Sequence, residues 1–511
     1  MPGWKLLPTI LAGLAALVAQ PAAAAEKWLK AETKHFTIYS AGNRDQLQQF
    51  AIQLEKFDAV LRRLTRSKID EQPLRLPVYV LASADSVASL TDDKSRSIAG
   101  FYRTSKYGSF AVANRAKGTD KFDLRGDTVL QHEYAHHFMF RNFAYAYPAW
   151  YVEGFAEFVA TTDFAADGSW TVGKPPLFRA YGLILGRDLP IEKLLFGGTA
   201  GMPRNLIDVY YGRAWLLVHM LRNDKSRAGQ LDAYLGALGK GVPEREAAIS
   251  AFGNLAELDK SLDKYLNEKR IAIVKGTGPI DYAPDIAIRE LDPVDSQLVA
   301  LGLRRLVGKD QTRTRDQLRA LATAHPARAR AWLELALAEQ DLAEAQEPEP
   351  AKVAGLVLAE AAVDKALGAD AKHGRANLLK AELLMDRLDR DGEDGAEAWK
   401  PVRGFIARAN RADVLDPAPL FTWYDSFARQ GEAPDNLASD GLALAFSLAP
   451  EVTELRVGYA WDLARRRQFD EAIRLVEFVV RDPHNAGQGN AVIERLKAMR
   501  EGKEPDADSP E

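Results

Sequence analysis

His132-Glu133-Tyr134-Ala135-His136 is the stretch that decides the reading of this chain. Two histidines four residues apart share one face of a helix, because an α-helix turns once in 3.6 residues. Both imidazoles can then point at one metal ion. Glu133, beside the first of them, can reach a water on that ion as general base. The chain has 8 histidines in 511 residues, so a chance match to this pattern is on the order of 1% from composition. The competing reading is a surface helix that happens to carry these letters.

A catalytic zinc ion usually takes three protein ligands and leaves a fourth position to water. Trp150-Tyr151-Val152-Glu153-Gly154-Phe155-Ala156-Glu157 offers the third ligand, Glu153, 17 residues after His136. That interval lets one helix end and another return antiparallel, and Gly154 lets helices approach closely. Glu157 lies one turn beyond Glu153 on the same face. It reads as a carboxylate behind a ligand imidazole, as a surface glutamate, or as a fourth ligand. His137 is about 100° round the helix from His136, so it points away from the metal and reads as a core or surface histidine.

With these segments the chain resembles the gluzincin metallopeptidases, the group containing thermolysin and aminopeptidase N. Those enzymes carry HExxH on one helix and a ligand glutamate on the next, often as Asn-Glu-Gly-Phe-Ala. Here Val152 replaces the asparagine. The resemblance implies one Zn2+ held by His132, His136 and Glu153, with Glu133 as base. It also implies that Glu157 holds a ligand histidine from behind, which would fix the imidazole tautomer. Tyr211-Gly212-Arg213-Ala214-Trp215-Leu216-Leu217 is similar to the Tyr-Glu-Lys-Gly-Phe-Ala-Leu segment whose tyrosine stabilises the oxyanion in aminopeptidase-N-like enzymes. This points to Tyr211, with Tyr210 and His219 as rivals. The strand over residues 108–114 stands where gluzincins have an exposed sheet edge that adds substrate as another strand. The Gly-x-Met-Glu-Asn element that captures a substrate amino terminus is absent, which favours an endopeptidase.

Composition is consistent with this reading. At 47% hydrophobic and 27% charged residues the chain is ordinary for a soluble protein, and its length suggests roughly two to four domains. A net charge of -4 gives no sign of a nucleic-acid or anionic-membrane partner. With no cysteine, a metal must be held by histidine and carboxylate. Residues 1–25 read as a cleavable signal peptide: Lys5, an apolar run from Leu6 to Val18, then the alanines Ala22 to Ala25. An exported, cysteine-free chain suits a bacterial periplasm, or secretion, with no stable membrane span after cleavage.

The predicted order is α+β. The strand at residues 35–39, the helix at 46–64 and strands at 76–81 and 108–114 precede the motif helix, for which Asp127 is the expected N-cap. Helices follow over 149–160 and about 209–221. Residues 26–275 form the metallopeptidase-like unit, and 276–290, beginning Gly-Thr-Gly-Pro, read as a linker. Residues 291–498 read as a helical repeat, and 499–511 as a disordered acidic tail. Pro293 to Pro326, Pro417 to Pro450 and Pro450 to Pro483 are each 33 residues apart. A period near 34 resembles tetratricopeptide helix pairs. Pro326 to Pro417 is longer, with residues 347–352 and 389–397 as polar insertions. Such repeats present a concave surface for a peptide substrate or a protein partner. The expected function is an exported zinc endopeptidase. The alternative is a periplasmic tetratricopeptide scaffold or adaptor with a weakly active or inactive metallopeptidase-like module.

Overall fold

The computed structural model describes residues 27–68, 74–91, 100–116, 125–143, 145–179, 183–184, 189–199, 201–268, 271–347, 349–481 and 486–503. The expected signal peptide and residues 504–511 of the expected tail lie outside these. The architecture is α+β, a sheet-containing first part followed by a helical second part.

Strands β1 (Leu29–Glu32), β2 (Phe36–Ser40), β3 (Leu76–Leu81), β4 (Phe101–Arg103), β5 (Phe110–Asn114) and β9 (Ala287–Glu290) form a six-stranded sheet in the order β4-β5-β3-β2-β1-β9. The three at its centre are parallel, with Ile38 opposite Val78 and Val80 opposite Ala113. Strands β6 (Asp163–Phe164), β7 (Trp170–Val172) and β8 (Val274–Gly276) make a second, small sheet.

Two expectations change here. The strand at 108–114 is not the sheet edge: β4 pairs outside β5, so among the described residues the edge is Phe101–Arg103. The expected linker at 276–290 is tied down at both ends, by Gly276 opposite Trp170 and by β9 along β1. A Cβ on Gly276 would lie 1.9 Å from the Trp170 ring, so this glycine serves close packing rather than flexibility.

Alternation along the strands sends side chains to two cores. Phe36, Ile38, Val78, Val80, Ala111 and Ala113 join the large core with α1 (Arg44–Thr65) and α3 (Gly126–Asn142). Between these helices in the chain lies the short α2 (Ala84–Ala88). Tyr79, Phe110 and Val112 face the other way, toward Leu303 of α10 (Pro293–Leu306). The sheet is thus covered on both faces, one of them by the first helix of the second part. The remaining helices of the first part are α4 (Ala149–Ala160), α5 (Ile191–Phe196), α6 (Arg204–Asn223), α7 (Gln230–Gly239), α8 (Glu244–Phe252) and α9 (Leu255–Leu266).

The second part continues with α11 (Gln311–Ala324), α12 (Ala329–Glu344), α13 (Glu349–Ala369), α14 (Gly374–Asp391), α15 (Ala396–Ala412), α16 (Pro417–Arg429), α17 (Asn436–Leu448), α18 (Thr453–Arg465), α19 (Phe469–Arg481) and α20 (Ala486–Arg500). Consecutive helices pack as hairpins. Pro293 and Pro417 open helices, behind the capping carboxylates of Asp292 and Asp416. The long central interval is taken up by helix length: α13 has 21 residues, against 14 in α11 and 13 in α19. The expected insertions are therefore mostly helix ends, and α20 likewise carries helix to Arg500 within the expected tail.

The array returns to the first part at its far end. Arg141 at the end of α3 donates to the Leu448 carbonyl at 2.8 Å and to Glu451 at 3.2 Å. Arg456 donates to the Phe140 carbonyl at 3.3 Å. The β4–β5 hairpin tip meets the array midway, where the Tyr107 hydroxyl donates to Glu382 at 2.8 Å. A cavity of about 1180 Å³ lies between the sheet and the array, lined by Tyr79, Tyr107, His137, Glu382 and Glu451 among others.

Candidate metal centre

Helix α3 is set by its start. A Cβ on Gly126 would lie 2.0 Å from the Asn114 carbonyl oxygen, so glycine is required where the helix presses on the end of β5. Asp127 is not the N-cap. Arg125 holds that position without a side-chain cap, and Asp127 lies in the first turn, where a carboxylate suits the helix dipole. From behind, the Tyr134 hydroxyl donates to Asp58 of α1 at 2.7 Å, and Asp58 also accepts from Arg62 at 2.7 Å. This buried network fixes the rotation of α3 about its axis.

Helix α4 begins after Pro148 and spans Ala149–Ala160, the range expected from sequence, and every residue from Trp150 to Ala160 is buried. It crosses α6 closely: a Cβ on Gly154 would be 2.5 Å from the Ala214 carbonyl oxygen. That packing carries Glu153 to the two histidines. His132 Nε2 and His136 Nε2 are 3.0 Å apart. Glu153 Oε2 lies 3.3 Å from the first and 3.5 Å from the second. Two donors of a tetrahedral zinc, each about 2.0–2.1 Å from the ion, are about 3.3 Å apart. The three observed separations bracket that value, so this donor set fits the ion. Both oxygens of the fully buried Glu153 also lack an ordinary hydrogen bond among the described residues. Burial alone would raise its carboxyl. The imidazoles of His136 and His132 outweigh burial and hold it well below the usual range.

Around this triad the other expected residues divide. Glu133 is half-buried beside His132. Glu157 is buried, with Oε1 at 3.5 Å from His132 Nδ1, behind the imidazole and away from the shared donor atoms. Tyr211 stands next to His132, ring centroids 6.2 Å apart. Burial, and then the charge of Glu153, push its hydroxyl up, so it keeps a proton to donate. Tyr210 is fully buried beside Tyr211. His219 is a core histidine, with Nδ1 against the Tyr265 hydroxyl at 2.9 Å and Nε2 against the Ala272 carbonyl at 2.8 Å. Both nitrogens are engaged away from the triad, which removes His219 as a rival. His137 turns away as expected, with Nδ1 at 2.8 Å from the Tyr102 hydroxyl. Burial, helped by Arg141, depresses it to about 3. His137 lines the large cavity whereas His132 and His136 do not, so the cavity and the triad lie on different faces of α3.

Sequence reasoning missed Arg179. It sits in a short 3-10 turn, Leu177–Arg179, inside a glycine-rich stretch with no periodic pattern. Its guanidinium Nε donates to Glu157 at 3.0 Å, and Nη1 donates to Asp208 at 2.5 Å. No local signal marks it, because its partners come from two helices on either side of it in the chain. No family model matches the chain, and no curated protein matches it.

Proposed function

We propose that this chain is a zinc-dependent peptidase of the gluzincin type, and by its lack of an amino-terminus-capturing element an endopeptidase. The observation that carries the reading is the convergence of one histidine nitrogen, a second, and one carboxylate oxygen within 3.0–3.5 Å of each other. A zinc ion held there would act as Lewis acid toward a water and a peptide carbonyl. Glu133 takes the proton of the attacking water and passes it to the departing amine. Tyr211 donates a hydrogen bond to the carbonyl oxygen as negative charge develops on it. Glu157 steadies His132 from the Nδ1 side. The helical hairpins, read as tetratricopeptide-like, would present a substrate or partner surface, and the leader expected from the sequence of residues 1–25 supports a site of action in a bacterial periplasm or outside the cell.

The test is metal analysis of the purified chain together with cleavage of an unfolded protein. Glu133→Gln should keep stoichiometric zinc and lose about 10²- to 10⁴-fold in rate, and His132→Ala should lose the zinc. A parent without zinc, or a Glu133→Gln variant as fast as the parent, refutes the reading. The scaffold reading draws on a different observation: the array's cavity lies away from the triad. It requires a partner whose capture survives zinc removal and which is never cleaved.

A further inference from the structure

The Glu157 carboxylate is fully buried, yet its Oε1 is 3.5 Å from His132 Nδ1, looser than an ordinary hydrogen bond. What fixes it is a cation. Arg179 Nε and Nη2 both reach Glu157 Oε1, each at 3.0 Å. Its remaining nitrogen, Nη1, donates to Asp208 Oδ1 at 2.5 Å. Asp208 lies on α6 three residues before Tyr211, on the same face of that helix. The guanidinium also lies 4.9 Å from the centroid of the Tyr211 ring. One planar group therefore touches the carboxylate behind a ligand histidine on one side. On the other it touches the turn of α6 that carries the proposed oxyanion donor. A guanidinium suits this place because its donors are fixed in a fork and its face stacks on an aromatic ring.

We propose that Arg179 is a positioning residue of the metal centre, locking Glu157 against His132 and Tyr211 against the site in one geometry. The inference rests on the metallopeptidase reading. Without Arg179, Glu157 loses the contact that orients it, and His132 loses its fixed tautomer and ring angle. Partners of this kind typically change metal affinity by roughly 10- to 100-fold.

The experiment is a chelator competition for zinc on the full chain, with the cobalt(II) absorption spectrum as a second readout of ligand geometry. Arg179→Met should weaken zinc by roughly 10- to 100-fold and alter the cobalt bands. Glu157→Gln should do the same, and the double variant should be no worse than the weaker single one, because the residues act in series. Should Arg179→Met fail to fold, Arg179→Lys decides. Its ammonium cannot bridge two carboxylates and stack at once, so zinc should bind several-fold more weakly than in the parent. Parent-like affinity and spectrum in the folded variant overturn the inference, as do losses in the double variant that multiply. A parent that binds no zinc at all instead sinks the metallopeptidase reading, and the two failures are thereby distinguished. A purely structural arginine would lower thermal stability and leave zinc affinity and the cobalt spectrum where they were.

Discussion

Gly154→Ala is the smallest change that should open the candidate metal centre without touching any of its three donor residues. The new methyl group would sit 2.5 Å from the Ala214 carbonyl oxygen, 2.7 Å from its carbon and 2.8 Å from Val218 Cγ2. Two of those atoms are backbone in the middle of α6, so no side-chain rotation relieves the clash. Ordinary contact requires α4 and α6 to part by roughly 0.5–1 Å. Forcing a methyl into a filled interface costs about 1–3 kcal/mol. Glu153, one residue away, moves with α4, and a site tolerates only about 0.5 Å of such drift. If half or more of the cost falls on the metal-bound state, zinc affinity drops about 3- to 100-fold, at 1.4 kcal/mol per decade. Gly236→Ala is the control. That glycine lies inside α7 with nothing within 4 Å of the added carbon. Alanine there should stabilise by about 0.5–1 kcal/mol and leave zinc unaffected. The assays are urea denaturation of the zinc-free chain and chelator competition for zinc. Equal stability and equal zinc affinity in the two variants would refute the argument that the α4–α6 spacing sets the position of Glu153.

Two further outcomes follow from the histidines outside the triad. His219→Leu removes hydrogen bonds to the buried Tyr265 hydroxyl and to the carbonyl of Ala272, an exposed residue. It should cost about 1–3 kcal/mol for the buried Tyr265 hydroxyl left unpaired while zinc affinity stays unchanged, and a loss of zinc would return His219 to the site. His137 is held at about 3, far below its ordinary value, by burial and Arg141. Between that value and pH 6.5 the unfolded chain takes up a proton that the folded chain refuses. His137 therefore contributes stability that is complete above pH 6.5 and lost as pH falls toward 3, with a slope of up to about 1.4 kcal/mol per pH unit. Glu451, 3.9 Å away, is raised by burial and works in the opposite sense. The His137→Gln variant should show a shallower fall in stability over that range in pH-dependent urea denaturation. A limb as steep as the parent's would show that other groups carry it.

The parts of the site that sequence revealed are those set by local geometry. His132 and His136 share a helix face by their spacing alone, and Glu153 follows at the distance a returning helix needs. Both ends of α4 are marked by Pro148 and by the close of its apolar run. What stayed hidden depends on partners far along the chain. Strand β9 reads Ala-Ile-Arg-Glu and is mostly exposed, so it carries no alternating pattern and exists because β1 offers it an edge. Strand β4 is three residues long, too short for a periodic signal, yet it takes the edge position expected of β5. Arg179 belongs to no regular element longer than a single turn, and its role comes from Glu157 and Asp208 meeting around it. The central helices of the array hid their extra length because charged residues at helix ends and in loops look alike in sequence.

The polarity of α3 bears on the competing reading, that the motif letters sit on a surface helix by chance. Such a helix would keep one face in water. Here four side chains of the helix point in different directions, and each of the four has a partner. His132 and His136 meet Glu153, Tyr134 meets Asp58 on the opposite side, and His137 meets Tyr102. Placing a carboxylate with no exposed surface between two imidazoles is costly for folding unless positive charge compensates it. An apolar residue of similar volume at position 153 would hold α4 in place at least as well. A divalent cation held by the three donors supplies that charge. Glu153→Gln removes the charge and nearly keeps the volume, so the zinc-free variant should resist urea at least as well as the zinc-free parent, and added zinc should stabilise the parent far more than the variant. A zinc-free variant much less stable than the zinc-free parent would show that the imidazoles alone offset the burial of Glu153.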